Sequence, residues 1–124
     1  MKRIDVGLGA RAYPVYVGAG VLHDGAAWAE HLAPGAVLVV SDERVAPLYL
    51  DPVREAIGRD NRSLVLPEGE YHKSVAQWQA VLDRLAGIGA RRDATVVALG
   101  GGVIGDLAGF AAACWMRGVR VVQA

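Results

Sequence analysis

From residue 36 onwards, continuous apolar segments alternate with a segment of helical periodicity. The runs AVLVVSD at residues 36–42 and ATVVAL at residues 94–99 are almost wholly apolar, which is typical of strands buried on both faces of a sheet. Between them, residues 74–88 space their large apolar side chains three or four apart, as an amphipathic helix does. This alternation predicts right-handed βαβ units and a parallel sheet.

The remaining segments fit the same architecture. Ile4, Val6 and Leu8 share one face of a short strand, and YPVYVG reads as a second strand after a turn, so a hairpin is expected at the N-terminus. Further helices are expected at residues 20–32, 43–57 and 107–115, and further strands at RSLVLP and VRVVQA. The predicted fold class is α/β: a Rossmann-like parallel sheet with helices on both faces, preceded by an N-terminal β-hairpin.

Length and composition exclude several classes of protein. The 124 residues suit one domain, and 53% hydrophobic residues suffice for a core. With 13 basic and 13 acidic residues, the chain shows no general nucleic-acid surface. The N-terminal residues MKRIDVGLG have no apolar core of the kind a signal peptide needs, no run of 18 uncharged apolar residues occurs, and there is a single cysteine, so we expect a cytoplasmic protein without a membrane span. Because VRVVQA is followed by no covering helix, we expect a piece of a longer protein.

The segment VVALGGGVIGDLAGF places three consecutive glycines between a predicted strand and a predicted helix. Gly100, Gly102 and Gly105 satisfy the pattern G-x-G-x-x-G, whose glycines allow a tight turn, backbone approach to a phosphate and close helix–strand packing. The helix N-terminus would add N–H groups and partial positive charge. The acid that normally follows about 20 residues later is missing. The alternative that these glycines serve only to pack a tight turn, without binding a ligand, therefore stays open.

Charged side chains follow three of the predicted strands. Asp106 comes directly after the glycines, where it either stabilises the helix N-terminus or faces a sugar hydroxyl. Asp42 is either a helix N-cap or a ligand of a ribose. The segment LPEGEYHKS brings Glu68, Glu70 and Lys73 after another strand, either as a solvated loop or as part of a site. Parallel strands end at one edge of a sheet, so all three segments are expected to converge there.

The stretch LGGGVIGDLAGFAAACWMRGV resembles the glycine-rich signature of the 3-dehydroquinate synthase family of sugar-phosphate cyclases. LPEGEYHKS is similar to the family's second nucleotide-binding segment, VVSDERV is similar to the first, and the resemblance covers the whole chain. It implies that residues 1–124 are an N-terminal NAD-binding α/β domain. A mainly helical C-terminal domain would hold zinc or another divalent metal, whose ligands would lie beyond Ala124.

The resemblance also implies a reaction. Family members are lyases of the shikimate pathway, which leads to the aromatic amino acids, and they convert 3-deoxy-D-arabino-heptulosonate 7-phosphate to 3-dehydroquinate and phosphate. NAD oxidises a substrate hydroxyl, phosphate is eliminated and the ketone is reduced again, so that NAD acts catalytically. The implied partners are a small sugar phosphate and a second copy of the chain in a homodimer.

Individual roles follow from the same resemblance. Asp42 would face the adenosine ribose, and Arg117 would contact substrate, although Arg117 also fits a cation at the end of a helix. The residues expected to line the nucleotide and its pyrophosphate are Glu68, Gly69, Glu70, Lys73, Gly101, Gly102, Val103, Gly105 and Asp106. No catalytic residue and no metal ligand is expected within the chain. Three alternatives stay open: a metal-dependent polyol or alcohol dehydrogenase, another sugar-phosphate cyclase, and a nucleotide-binding module without chemistry.

Overall fold

An antiparallel hairpin precedes a parallel sheet in the computed structural model, which describes residues 2–7, 13–67 and 74–124. Strands β1 (Lys2–Val6) and β2 (Tyr13–Val17) form the hairpin, with Ile4 opposite Val15. The predicted hairpin is therefore confirmed, while its turn lies outside the described residues.

The remaining elements alternate strand and helix. In chain order they are a 3-10 turn (Val21–His23), α1 (Gly25–His31), β3 (Val37–Asp42), α2 (Ala46–Ile57), β4 (Arg62–Leu66), α3 (Val75–Gly87), β5 (Thr95–Leu99), α4 (Gly102–Cys114), a second 3-10 turn (Trp115–Arg117) and β6 (Arg120–Gln123). The strands pair in the order β4-β3-β5-β6, and every pairing is parallel. The predicted α/β fold class is confirmed.

Helices cover both faces of this sheet. On one face, α1 and α2 bury Trp28, Leu32, Val53 and Ile57 against Val37, Val39, Val97 and Leu99. On the other, α3 and α4 bury Val81, Leu85, Ile104, Leu107 and Ala108 against Leu38, Val40, Val96 and Ala98. Neighbouring residues of β3 and β5 thus point into different cores. Both faces need apolar side chains, which explains the continuous apolar runs in the sequence.

Three predicted helices begin at other positions than expected, and the one expected from residue 43 begins at Ala46. The helix expected at residues 20–32 is divided, because Asp24 is extended and its carboxylate accepts hydrogen bonds from the N–H groups of Ala26 and Ala27 at the start of α1. The helix expected from residue 107 begins at Gly102, since Gly101 is the extended N-cap and its carbonyl accepts from the Gly105 N–H at 3.0 Å. Glycine lowers helix propensity, but burial of side chains along α4 outweighs that cost.

Candidate functional site

A crevice is expected where the sheet order reverses, between the carboxyl ends of β3 and β5. The helix after β3 packs on one face of the sheet, and the helix after β5 packs on the other. The two connections therefore diverge from adjacent strands. In parallel α/β sheets, ligands bind at this topological switch point. The described residues at its rim are Asp42 and the glycines Gly100, Gly101 and Gly102.

Asp42 ends β3 and uses one carboxylate oxygen for local structure. Its Oδ1 accepts hydrogen bonds from the backbone N–H groups of Arg44 at 3.0 Å and Val45 at 2.7 Å. This contact closes the turn ahead of α2, but the N-cap of that helix is Val45, so the alternative role of Asp42 as a helix N-cap is wrong. Its second oxygen, Oδ2, points at the other wall of the crevice, 3.5 Å from where a Cβ atom at Gly100 would stand.

Backbone and side-chain hydrogen bonds fix the strand ends that carry these groups. The buried Ser41 hydroxyl donates to the carbonyl of Leu99 at 2.7 Å, which ties the end of β3 to the end of β5. The N–H of Glu43 donates to the carbonyl of Leu66 at 3.0 Å, which ties β3 to β4. The rim of the crevice is therefore held by rigid elements.

The three consecutive glycines have different surroundings. A Cβ atom at Gly100 would stand 3.1 Å from Ile104 Cγ1, so this glycine allows a tight turn into α4. At Gly101 and Gly102, the described residues leave the space within 4 Å of an added Cβ open. Neither of these two has the left-handed φ that favours glycine. Packing thus accounts for Gly100, whereas neither packing nor conformation accounts for Gly101 and Gly102.

Gly105 contacts the next strand. A Cβ atom there would come within 3.1 Å of Gln123 Oε1 in β6, so Gly105 allows the close helix–strand packing expected of the third glycine. Gln123 was missed in the sequence. The available signal was a polar residue in the apolar strand VRVVQA, at the end that adjoins the crevice.

The other two residues expected beside the glycines lie on α4. Val103 is half-buried and packs against the core between the sheet and the helices α3 and α4. Asp106 is exposed and is the fifth residue of the helix. The first turn of α4 contains no acid, so the expected stabilisation of the helix N-terminus by Asp106 is wrong, because the helix begins earlier than predicted.

Arg117 lies away from these residues. It belongs to the 3-10 turn between α4 and β6, whereas Gly100, Gly101 and Gly102 lie at the start of α4, so the length of that 13-residue helix separates them, about 20 Å along its axis. The last turn of α4 holds no basic residue, and the alternative role of Arg117 as a cation in that turn is therefore wrong. Met116, Arg117 and Gly118 have φ angles of 44°, 67° and 111°. Two non-glycine residues in this region store conformational energy in an exposed turn.

The remaining expectations concern residues that are masked or groups that are absent. Glu68, Gly69, Glu70 and Lys73 lie outside the described residues. Within residues 2–7, 13–67 and 74–124, no three His, Cys, Asp or Glu side chains cluster as metal ligands would. None of the described helices combines the length and the apolar character needed to cross a bilayer.

Comparison with known proteins gives a consistent family. The profile described as 3-dehydroquinate synthase N-terminal matches residues 63–124. The chain is 52% identical over 124 residues to a 3-dehydroquinate synthase of Methylococcus capsulatus, and 46% identical over 125 residues to one of Nitrosococcus oceani. Each alignment covers 99% of this chain and 34% of the relative, so the chain spans about a third of the length of the curated relatives it matches.

Solved structures share the fold. The chain aligns with a crystal structure of 2-deoxy-scyllo-inosose synthase at a TM-score of 0.86 and 23% identity, covering 98% of this chain and 35% of that one. It aligns with ValA, a 2-epi-5-epi-valiolone synthase from Streptomyces hygroscopicus subsp. jinggangensis solved with NAD+ and Zn2+, at a TM-score of 0.74 and 30% identity. That alignment covers 95% of this chain and 33% of ValA.

Proposed function

Because the chain belongs to the 3-dehydroquinate synthase N-terminal family, we propose that it is the NAD-binding part of a 3-dehydroquinate synthase. The observation that carries the proposal is the pair of walls at the switch point: Asp42 on one side and the open backbone of Gly101 and Gly102 on the other. Its relatives with 52% and 46% identity are named 3-dehydroquinate synthase, and the structure of ValA contains NAD+ and Zn2+.

The glycine wall fits the pyrophosphate of NAD. Gly101 and Gly102 leave room for a ligand at the N-terminus of α4, where the N–H groups of the first turn and the helix dipole favour an anion. A side chain at either position would occupy that room. Val103, Gly105 and Asp106 follow in the next residues of α4 and are proposed to lie beside the same part of the cofactor.

The opposite wall fits a ribose. Oδ1 of Asp42 is engaged by two backbone N–H groups, which fixes the carboxylate and turns Oδ2 towards the crevice. A carboxylate oxygen held in this way accepts a hydrogen bond from a ribose hydroxyl without first losing side-chain freedom. Glu68, Gly69, Glu70 and Lys73 are proposed to line the nucleotide from the connection after β4.

The reaction proposed for the whole protein is the conversion of 3-deoxy-D-arabino-heptulosonate 7-phosphate to 3-dehydroquinate and phosphate, a lyase reaction of the shikimate pathway. Bound NAD supplies a hydride acceptor that is regenerated within each turnover. The residues of this chain bind and orient it: Asp42 holds the ribose, and the N-terminus of α4 holds the pyrophosphate.

Other parts of the proposal concern groups outside residues 1–124. We propose a helical domain there that holds zinc or another divalent metal, since the relatives are about three times as long as this chain. The protein is proposed to be cytoplasmic and to form a homodimer, in which Arg117 contacts the sugar phosphate. Its position at the far end of α4 supports contact with a substrate bound by the partner subunit.

The test measures phosphate release and NADH together. The full-length protein should release phosphate from the seven-carbon sugar phosphate in the presence of NAD and zinc, without net accumulation of NADH. Net NADH would instead identify a polyol or alcohol dehydrogenase, and NAD binding without any turnover would identify a module without chemistry. Residues 1–124 alone should bind NAD weakly and release no phosphate at an enzymatic rate of about 1 per second or faster.

A further inference from the structure

The N-terminal hairpin forms a sheet of its own. Within the described residues, β1 pairs only with β2, and neither strand joins the four-stranded sheet. One face of the hairpin carries apolar side chains that remain exposed: Ile4 at 44%, Tyr13 at 51%, Val15 at 38% and Val17 at 54%. A lone two-stranded hairpin is marginally stable in water. The hairpin therefore needs further partners.

Its second face is attached to α1. The Tyr16 hydroxyl lies 2.7 Å from His31 Nε2, and the Arg3 guanidinium lies 3.7 Å from a carboxylate oxygen of Glu30. Arg3 also stands over the ring of Tyr16, 5.6 Å from its centroid. These contacts hold the hairpin in place and leave its edges open among the described residues.

The two edges differ in their ability to pair with another strand. β2 contains Pro14, which has no N–H, and proline is a residue that blunts edge strands. β1 contains no proline. When two copies of its sequence KRIDV run in opposite directions, basic residues of one copy can face acidic residues of the other. In an antiparallel pair centred on Ile4, Arg3 stands opposite Asp5 of the other strand, and Ile4 stands opposite its own copy.

We propose that two copies of the chain associate through β1, paired antiparallel about a two-fold axis at Ile4. The order of strands in the resulting sheet is β2-β1-β1-β2, with one apolar face continuing across both copies. This inference rests on the proposed homodimer and names its surface. It is an isologous contact, which closes on itself and leaves no open end for further growth.

Charge complementarity is the main support for this pairing. Arg3 Nε already lies 3.0 Å from Asp5 Oδ1 in the same strand, and both side chains are at least half exposed. This hydrogen bond raises the pKa of Arg3, which stays cationic. A second β1 strand brings two more charges in the opposite order, so that each guanidinium faces two carboxylates. Cross-strand pairs of opposite charge favour this register over its neighbours.

A cysteine at the proposed axis tests the geometry directly. In full-length protein with Cys114 replaced by Ser, Ile4→Cys should form an intersubunit disulfide on mild oxidation. The two copies of position 4 would be one strand spacing apart, about 5 Å, which lies within disulfide range. Val15→Cys is the matched control, because Val15 is the neighbour of Ile4 on the same face with similar exposure. Its two copies would be three spacings apart, about 14 Å, and should not crosslink.

A charge exchange tests the pairing in solution. Arg3→Asp and Asp5→Arg should each weaken the homodimer at least about tenfold, because like charges then face each other. Mixed together, the two variants should recover the wild-type dimer affinity, since one strand then carries two acids and the other two bases. Arg62 and Asp60 form a matched control pair with the same spacing, lying 3.9 Å apart and exposed. Arg62→Asp and Asp60→Arg should leave dimerisation unchanged, alone and mixed.

Sedimentation measures dimerisation and titration measures NAD binding on the same samples, so that the pairing through β1 and the proposed nucleotide site are tested separately. Melting temperatures show whether the hairpin variants remain folded, because Arg3→Asp also removes the contact with Glu30. Dimers that persist in both single variants, or that are not restored by mixing, would overturn the pairing through β1. A wild-type protein that is monomeric would overturn both the pairing and the homodimer, while unchanged NAD binding would leave the proposed nucleotide site intact.

Discussion

The α-carbon of Gly105 lies so close to the side-chain amide of Gln123 that a Cβ atom at position 105 would stand 3.1 Å from Gln123 Oε1. This contact sets the distance between α4 and β6. Gly101 and Gly102, a few residues earlier, have no described atom within 4 Å of an added Cβ. The glycine-rich segment therefore combines a packing contact at Gly105 with an open surface at Gly101 and Gly102. Substitutions at these positions test the packing role and the proposed binding role one at a time.

Gly105→Ala should change the free energy of unfolding by less than about 0.5 kcal/mol, because crowding against Gln123 offsets the gain in helix propensity. In a Gln123→Ala background the same change should stabilise by about 1 kcal/mol, which a double-mutant cycle in urea would measure. Gly109→Ala is the control, because its Cβ would stand 3.8 Å from Gln123 Nε2, an ordinary contact. An equal effect of Gly105→Ala in both backgrounds would contradict the packing role.

Gly102→Val should weaken NAD binding by at least about tenfold and change the unfolding free energy by less than about 1 kcal/mol, because the side chain enters the space proposed for the pyrophosphate. Calorimetric titration and thermal melting measure the two effects. Gly87→Val is the control, since Gly87 also has open space around it but lies at the end of α3. Unchanged NAD affinity in a folded Gly102→Val protein would mean that these glycines do not meet the cofactor.

Asp42→Asn should retain stability within about 0.5 kcal/mol, because the amide oxygen still accepts from the N–H groups of Arg44 and Val45. NAD affinity should nevertheless fall about tenfold, because the charged acceptor proposed for the ribose is lost. Asp42→Ala should lose the same affinity and about 1 kcal/mol of stability as well. Equal NAD affinity in Asp42→Asn and the wild type would remove Asp42 from the proposed site.

Arg117→Gly should be more stable than Arg117→Ala by about 1 kcal/mol, because glycine adopts the φ of 67° without strain. Both variants should lose turnover to the same extent and keep NAD affinity, since Arg117 lies at the far end of α4 from the glycines. Met116→Gly relieves a similar φ of 44° and should keep full turnover. Turnover that survives in Arg117→Gly would rule out contact between this side chain and substrate.

The strands and the fold class are predictable from sequence because a strand that is buried on both faces is a continuous run of apolar residues. Val37 to Val40 are all buried, and no polar residue interrupts them. Ser74 is likewise a residue type that favours the N-cap position, and its hydroxyl accepts from the Gln77 N–H at 3.3 Å at the start of α3. Such signals depend on residues that are near each other in the chain. Local propensity and burial are sufficient to predict them.

The parts that were missed depend on contacts between distant segments. The start of α4 was placed too late because glycines argue against a helix, whereas burial of Ile104 and Leu107 decides the outcome. Gln123 was overlooked because its importance lies in a contact with Gly105, in a different element. The left-handed backbone at Met116 and Arg117 could not be predicted, because neither methionine nor arginine favours a positive φ. The roles of residues 68–73 stay predictions.

The central position of β3 has a consequence for how the chain folds during synthesis. β3 pairs with β4 on one side, but on the other side it pairs with β5, which the ribosome adds only after about 50 further residues. At typical rates of synthesis, that edge waits on the order of 3–10 seconds with its backbone N–H and C=O groups unpaired. The nascent chain is thus most vulnerable to aggregation in this interval, when a chaperone that shields apolar strands has the greatest effect.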